Sequence, residues 1–312
     1  MGAIRSRSVW VLPFLVILAT GVPGFSQRQP VAGTSLRSIS VESEPDATVW
    51  VDGVRYGKTN KTGTLDINTL ASGTHTLRLR ADGFKEKNQP LTAVQKGSLK
   101  IPLVKTTDEA ELAFQEAERL AGADRDKAVA AYQRAIKLRP TYVEAYLGLA
   151  RTQSDSGNFE DAQKAVAAAR RLHPGLAEAS AIQGRIYKDN GEEAKAVAAF
   201  KRAITEGKGF QPEAYAGLGL LYKEKAEGSS GDFQAESDNY DESAKNLKMA
   251  IKQLAGAPDS IVIYQLLGLI YERQQKPRDA IAVYEEFLRL FPNSVEATAV
   301  QSFIVQLKKD NP

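Results

Sequence analysis

From Asp108 onward the chain repeats itself every 34 residues. Ala128, Ala162 and Ala196 keep that interval, as do Ala135, Ala169 and Ala203. Pro140 and Pro174, Gly157 and Gly191, and Ala150 and Gly184 keep it as well. The residues between are rich in Ala, Leu, Lys and Glu, which are strong helix formers. One unit of this size cannot bury its own apolar face, so neighbours must stack, and small residues at fixed positions let them approach closely. The period therefore demands an array of stacked helical units.

Within the repeats one pattern stands out: Tyr215-x-x-Leu218-Gly219-x-x-Tyr222, then Tyr264-x-x-Leu267-Gly268-x-x-Tyr271, followed by Ala280-x-x-x-Tyr284 and Pro292. The period and these residues resemble the tetratricopeptide repeat. Units are expected to start near Glu109, Val143, Ala177, Pro212 and Ile261, giving about five repeats over 108–293 and a capping helix over 294–309. The first unit lacks the Leu-Gly pair and carries an extra residue around Arg119. The fourth is stretched: Gly219 and Gly268 lie 49 residues apart, 15 beyond one period. The surplus is assigned to 226–239, rich in Gly, Ser and acids, and is expected to be a solvated loop inserted between the two helices. Its acids, Asp232, Glu236, Asp238 and Asp241, lack the spacing of a calcium loop.

Residues 37–105 follow a different grammar. Ser38-Ile39-Ser40-Val41, Thr48-Val49-Trp50-Val51 and Thr76-Leu77-Arg78-Leu79-Arg80 alternate polar with apolar, as half-buried strands do. Turn formers separate them at Glu44-Pro45-Asp46, Asp52-Gly53, Tyr56-Gly57, Ser72-Gly73 and Asp82-Gly83, and a last strand is expected over Leu99–Val104. The run Val41-x-Ser43-x-Pro45-x-Ala47-x-Val49-x-Val51-Asp52-Gly53, with Gly57, Ser72-Gly73-x-His75 and Asp82-Gly83-Phe84, resembles a PEGA domain. The chain lacks that family's Gly before the Ala, so the first turn is expected to be tighter. The fold class is thus mixed and multidomain: a small antiparallel β-sandwich followed by an all-α superhelix. Gly53 to Thr59 imitates a phosphate-binding loop, but Asp52 occupies the first glycine's place and turn and strand residues follow where a helix is required. A β-turn exposing Lys58 is expected instead.

At the N-terminus, Arg5 and Arg7 precede an apolar run from Val9 to Val22, the pattern of a secretory signal peptide over 1–26 with cleavage after Ser26. An uncleaved membrane anchor is the rival reading, and 27–36 is read as a linker. Either way the remainder is exported, to the periplasm or the cell envelope of a bacterium.

The functional classes narrow by composition. With 0 Cys there are no disulfides, thiolate metal sites or cysteine nucleophiles. Two histidines, His75 and His173, offer little for a multi-histidine metal centre or a Ser-His-Asp triad. A net charge of +3 does not suggest a nucleic-acid binder. No catalytic residue, metal or cofactor is assigned, and the chain is read as a non-enzyme. An enzyme with carboxylates in an unrecognised cleft is a distant alternative.

The tetratricopeptide resemblance implies a concave groove lined by the first helix of each unit. Repeat position 9 holds Arg151, Arg185, Leu220 and Leu269, and position 12 holds Ser154, Lys188, Lys223 and Glu272. A partner-binding groove of Arg151, Arg185, Lys188, Leu220, Lys223, Val262 and Leu269 follows, basic in its middle and apolar at its C-terminal end. The competing reading is a solvated helix face whose cations pair with neighbouring acids. The carboxylate clamp of some family members is not matched, because Leu147 and Ala181 take its lysine position.

Residues 37–105 carry 11 Lys/Arg against 7 Asp/Glu, and 106–312 carry 27 against 31. The opposite signs would suit docking of the β domain on the helices, or attraction of that domain to anionic envelope material. The function expected is an envelope scaffold that binds a protein or peptide in the groove. The alternative is a polysaccharide- or peptidoglycan-binding protein acting through the β domain.

Overall fold

Alternation decides the β domain. In β1 (Leu36–Glu42) Ile39 and Val41 point inward, in β2 (Thr48–Val51) Val49 and Val51, and in β5 (His75–Arg80) Leu77 and Leu79; all six are buried. With β3 (Val54–Lys58), β4 (Thr64–Ala71), β6 (Lys87–Leu91) and β7 (Gly97–Lys100) they form two sheets, ordered β4-β1-β7 and β3-β2-β5-β6. Every pairing is antiparallel except β1 with β7, which is parallel. The last strand is shorter and earlier than the expected Leu99–Val104. Beyond it Ile101 and Leu103 still bury their side chains, and an isolated bridge joins Phe84 to Lys105.

This computed structural model describes residues 36–229 and 231–311. The expected signal peptide, 1–26, and the linker up to residue 35 lie outside the described residues.

The turn before β2 closes through the Ala47 N–H donating to the Glu44 carbonyl at 3.4 Å, with Asp46 at φ +58°. The Thr59 hydroxyl pins it by donating to the Glu44 carbonyl at 2.6 Å and accepting the Ala47 N–H at 2.8 Å. The phosphate-loop imitation is a hairpin: Asp52 and Gly53 turn at φ +49° and +83°, and strand β3 follows.

Among the described residues ten helices then pack as five consecutive pairs: α1 (Glu109–Leu120) with α2 (Arg125–Leu138), α3 (Val143–Asp155) with α4 (Phe159–Leu172), α5 (Ala177–Asp189) with α6 (Glu193–Glu206), α7 (Pro212–Gly228) with α8 (Phe233–Leu254), and α9 (Ile261–Arg273) with α10 (Pro277–Leu290). Helix α11 (Ala297–Asp310) covers α10 with Val300 and Ile304. The recurring alanines Ala128, Ala135, Ala162, Ala169, Ala196 and Ala203 are fully buried. The regular spacing of glycines also has a packing cause. Phe200 fills the space over two glycines, Gly184 of its own unit and Gly217 of the next, where a Cβ would lie 2.5 Å from its ring in the first case.

The long loop expected at 226–239 is not there. Helix α7 runs to Gly228 and α8 starts at Phe233, so the inserted residues lengthen both helices to 17 and 22 residues, against 13 and 14 in the preceding pair. The junction between them is short and includes Ser229 and Gly231, the latter at φ +90°. The acids belong to helix: Glu227 pairs with Lys223 at 2.6 Å one turn away, Asp232 caps α8 by accepting the Ala235 N–H at 3.0 Å, and Glu236 lies in the first turn, where the helix dipole favours it.

The β domain does not stand apart. Its core is continuous with that of the last two helix pairs, through residues such as Leu70, Tyr56, Leu254 and Ala257.

Candidate partner-binding groove

Successive first helices touch one another, α1 with α3, α3 with α5 and α5 with α7, while successive second helices make no comparable contact among the described residues. The first helices α1, α3, α5 and α7 therefore lie on the inside of the curve, and their outward positions line its concave face.

Arg151, on α3, reaches across two units. Its guanidinium donates two bonds of 2.8 Å to the two oxygens of Glu213 on α7, and a third of 3.1 Å to Glu178 on α5. Burial works against its charge, but the carboxylates of Glu213, Glu178 and Glu118 outweigh it and hold its pKa above the ordinary arginine value. A fork-to-fork pair of this kind is stronger and more directional than a single contact.

The other cations are paired too. Arg185 bonds Asp155 and lies 3.6 Å from Asp189. Lys188 lies 3.0 Å from Asp189 and 3.6 Å from Glu224; burial lowers its pKa, yet these partners leave it raised. Lys223 lies 2.6 Å from Glu227. The expected basic middle is thus a chain of ion pairs rather than a bare cationic surface. The acids that neutralise it occupy neighbouring helix positions and the second position of the following units.

The apolar end is open. Leu220 is 38% exposed, Leu269 42% and Val262 64%. Arg151 at position 9 meets Glu178 at position 2 of the next unit, and Val262 and Leu269 lie two turns apart on α9. Beyond them Glu272 accepts the Tyr284 hydroxyl at 2.6 Å; burial first, then this carboxylate, pushes the Tyr284 pKa up.

Elsewhere, His75 sits at the start of β5 with Nδ1 2.6 Å from Asp52 and Nε2 2.9 Å from the Ala71 carbonyl, tying the β2–β3 turn to the end of β4. Among the described residues no three His, Asp or Glu side chains converge to hold a metal ion, and no helix is long and apolar enough to cross a membrane. Sequence reasoning missed one set of residues altogether: Arg55, Tyr56, Thr69 and Gln115, which join the β domain to the helices. Nothing in their spacing signals that role.

Comparison with known proteins agrees with this architecture. The PEGA domain family matches residues 36–107, and three tetratricopeptide repeat families match 119–186, 177–206 and 264–294. No curated protein matches. Among solved structures, yeast Tom70 is 18% identical with a TM-score of 0.52, covering 65% of this chain and 41% of its own, less than half its length. A crystal structure of MamA protein is 24% identical with a TM-score of 0.42, covering 62% of this chain and 96% of its own. A thermophilic TPR protein of Thermus thermophilus is 20% identical with a TM-score of 0.47, covering 63% and 99%. At these identities the likeness is one of fold alone.

Proposed function

Because the chain joins a PEGA domain to an array of tetratricopeptide repeats, we propose that it is a non-catalytic scaffold of the bacterial cell envelope that holds a protein or peptide partner on the concave face of the array. Tetratricopeptide arrays are protein-interaction surfaces, so the coarse reading follows from the repeats. The finer reading rests on one observation: the large apolar side chains Val262 and Leu269, two turns apart on α9, are exposed, as is Leu220 on α7, and exposed apolar side chains on one helix face suit an interaction site. The ion pairs of Arg151, Arg185, Lys188 and Lys223 border that stretch and would set the register of a bound segment. Export rests on the N-terminal pattern of residues 1–26.

The rival reading gives the binding role to the PEGA domain and a polysaccharide. It has less in its favour, because the Arg78 guanidinium lies 4.2 Å from the ring centre of Trp50 and covers the aromatic face a sugar would stack on.

A photo-reactive residue placed at Val262 or Leu269 in the native envelope should cross-link one protein specifically, and the same residue at exposed Arg171 on the outer face should not. Equal cross-linking at all three positions would refute the groove.

A further inference from the structure

We infer that the β domain is a brace: it bolts the first repeat to the junction of the fourth and fifth, and so fixes the curvature of the helices between. The inference does not depend on which partner the groove takes.

The first bolt is on α1. Gln115 is 3% exposed; its carbonyl oxygen accepts the Gly83 N–H at 2.7 Å, and its amide donates to the Phe84 carbonyl at 2.8 Å and to Glu111 at 2.8 Å. One side chain thus satisfies both ends of the Gly83-Phe84 turn. Beside it the Arg80 guanidinium lies 4.5 Å from the ring centre of Phe114. The second bolt is on the connection from α8 to α9. Ala255 and Gly256 end α8 at φ +47° and +80° and present their carbonyls to the sandwich. The Tyr56 hydroxyl donates to Ala255 at 3.1 Å, the Thr69 hydroxyl donates to Gly256 at 3.1 Å, and Arg55 pairs with Asp259 at 2.9 Å. Phe210, from the neighbouring inter-repeat connection, lines a small cleft together with Val54 and Leu70.

Arg80 and Arg55 belong to one sheet: β2 lies between their strands, with Trp50 opposite both Arg55 and Arg78. A single four-stranded plate therefore spans from the first unit to the fourth–fifth junction. In a solenoid, helix packing joins each unit only to its neighbours, and apart from the Arg151–Glu213 pair, which reaches two units, the β domain supplies the link between distant units that stiffens the pitch. The array would then offer a partner a surface of preset curvature, and the β domain and the helices would unfold together.

The test uses the full chain. The triple variant Arg55→Asp, Tyr56→Phe, Thr69→Val cuts the distal bolt and leaves the first intact. Amide exchange at residues 255–260 and along α7 should accelerate by at least about tenfold, since local opening no longer breaks the dock, and the X-ray scattering radius of gyration should rise. Adding Asp259→Arg restores the ion pair in reversed sense and should recover part of both. Circular dichroism matching the parent establishes that the variant is folded. Unchanged exchange and scattering would overturn the brace. So would parent chain whose β-domain signal (Trp50 fluorescence with Trp10→Phe) and helical signal melt in two separate steps.

Discussion

Gly219 offers a direct measure of how closely the helices pack. A Cβ built on it would lie 2.5 Å from Leu247 Cδ2 and 2.6 Å from Leu247 Cγ, and 3.4 Å from the Leu247 backbone nitrogen. Leu247 is fully buried, and the contact is further fixed by the Ser243 hydroxyl donating to the Gly219 carbonyl at 2.6 Å. An added Cβ therefore forces the Leu247 side chain to shift within a fully buried site. Replacing Gly by Ala in a helix interior stabilises by roughly 0.5–1 kcal/mol through backbone entropy, so an open site would gain. Here overpacking costs about 1–3 kcal/mol and wins. Gly219→Leu adds a whole side chain to the same place and should reach the upper end of that range, lowering the melting temperature by several degrees at about 2–4 °C per kcal/mol. Gly228→Ala is the matched control, since nothing lies within 4 Å of a Cβ there. Thermal unfolding followed at the helical band measures all three. Leu247→Ala in the Gly219→Leu background should cost less than the sum of the two changes, because the cavity accepts the new side chain. A Gly219→Leu protein that melts with the parent would show that α7 and α8 do not meet at this point.

Arg151→Met should lower stability by about 1.5–3 kcal/mol, the worth of hydrogen bonds between charged groups, because Glu213 and Glu178 lose their shared partner; a denaturant midpoint equal to the parent's would place that network in free solvent. Burial, then the charge of Asp52, pushes the Tyr56 hydroxyl up to about 12. The folded state thus holds this proton more tightly than the unfolded chain does, so stability is intact below about pH 10 and declines as pH rises from there through about 12. Tyr56→Phe should remove that part of the decline, and an unaltered alkaline profile would argue against it. Reversing Arg185 and Lys188 to Glu should slow partner association only modestly, because both already spend their charge on Asp155, Asp189 and Glu224; Leu269→Ala should mainly hasten dissociation, as surface plasmon resonance with the cross-linked partner would report.

The repeats were legible because their cause is local. Ala128, Ala162 and Ala196 recur since a methyl is what fits between stacked units, and that requirement writes itself into the sequence at a fixed period. The β alternation is legible for the same reason. The lengthening of α7 and α8 is masked in the sequence because Gly228 to Gly231 give the inserted segment a loop-like composition, while the Lys223–Glu227 pair and the Asp232 cap that carry helix up to the turn show only through their spacing. The groove cations were located by register, yet their neutralisation needs the position-2 acids Glu178 and Glu213, which lie 27 and 62 residues from Arg151. The charge balance hints at a domain junction, but the residues that form it left no trace. Its acceptors at Ala255 and Gly256 are backbone carbonyls, which any residue possesses.

The charge balance of the two domains points toward docking, but the contacts show that charge is not what holds it. Arg55 with Asp259 joins a β-domain cation to a helical acid, whereas Asp82 with Arg119, 4.0 Å apart, runs in the opposite sense. Both pairs are largely exposed, and such pairs contribute about 0–1 kcal/mol each. The dock instead depends on Gln115, Tyr56 and Thr69, neutral groups satisfying backbone atoms at buried or half-buried sites, and on the apolar core that Leu70 and Tyr56 share with Leu254 and Ala257. In the proposed groove too the charges cancel in pairs, while Leu220, Val262 and Leu269 are exposed and would be the surface a partner buries. At about 25 cal/mol per Å² of apolar surface removed from water, fully burying such side chains yields roughly 1.5–3 kcal/mol each. At the dock, paired ions add little and neutral hydrogen bonds to backbone atoms carry the contact; for the proposed groove the same division would leave affinity to the apolar area. Salt should accordingly leave the dock and the groove largely intact.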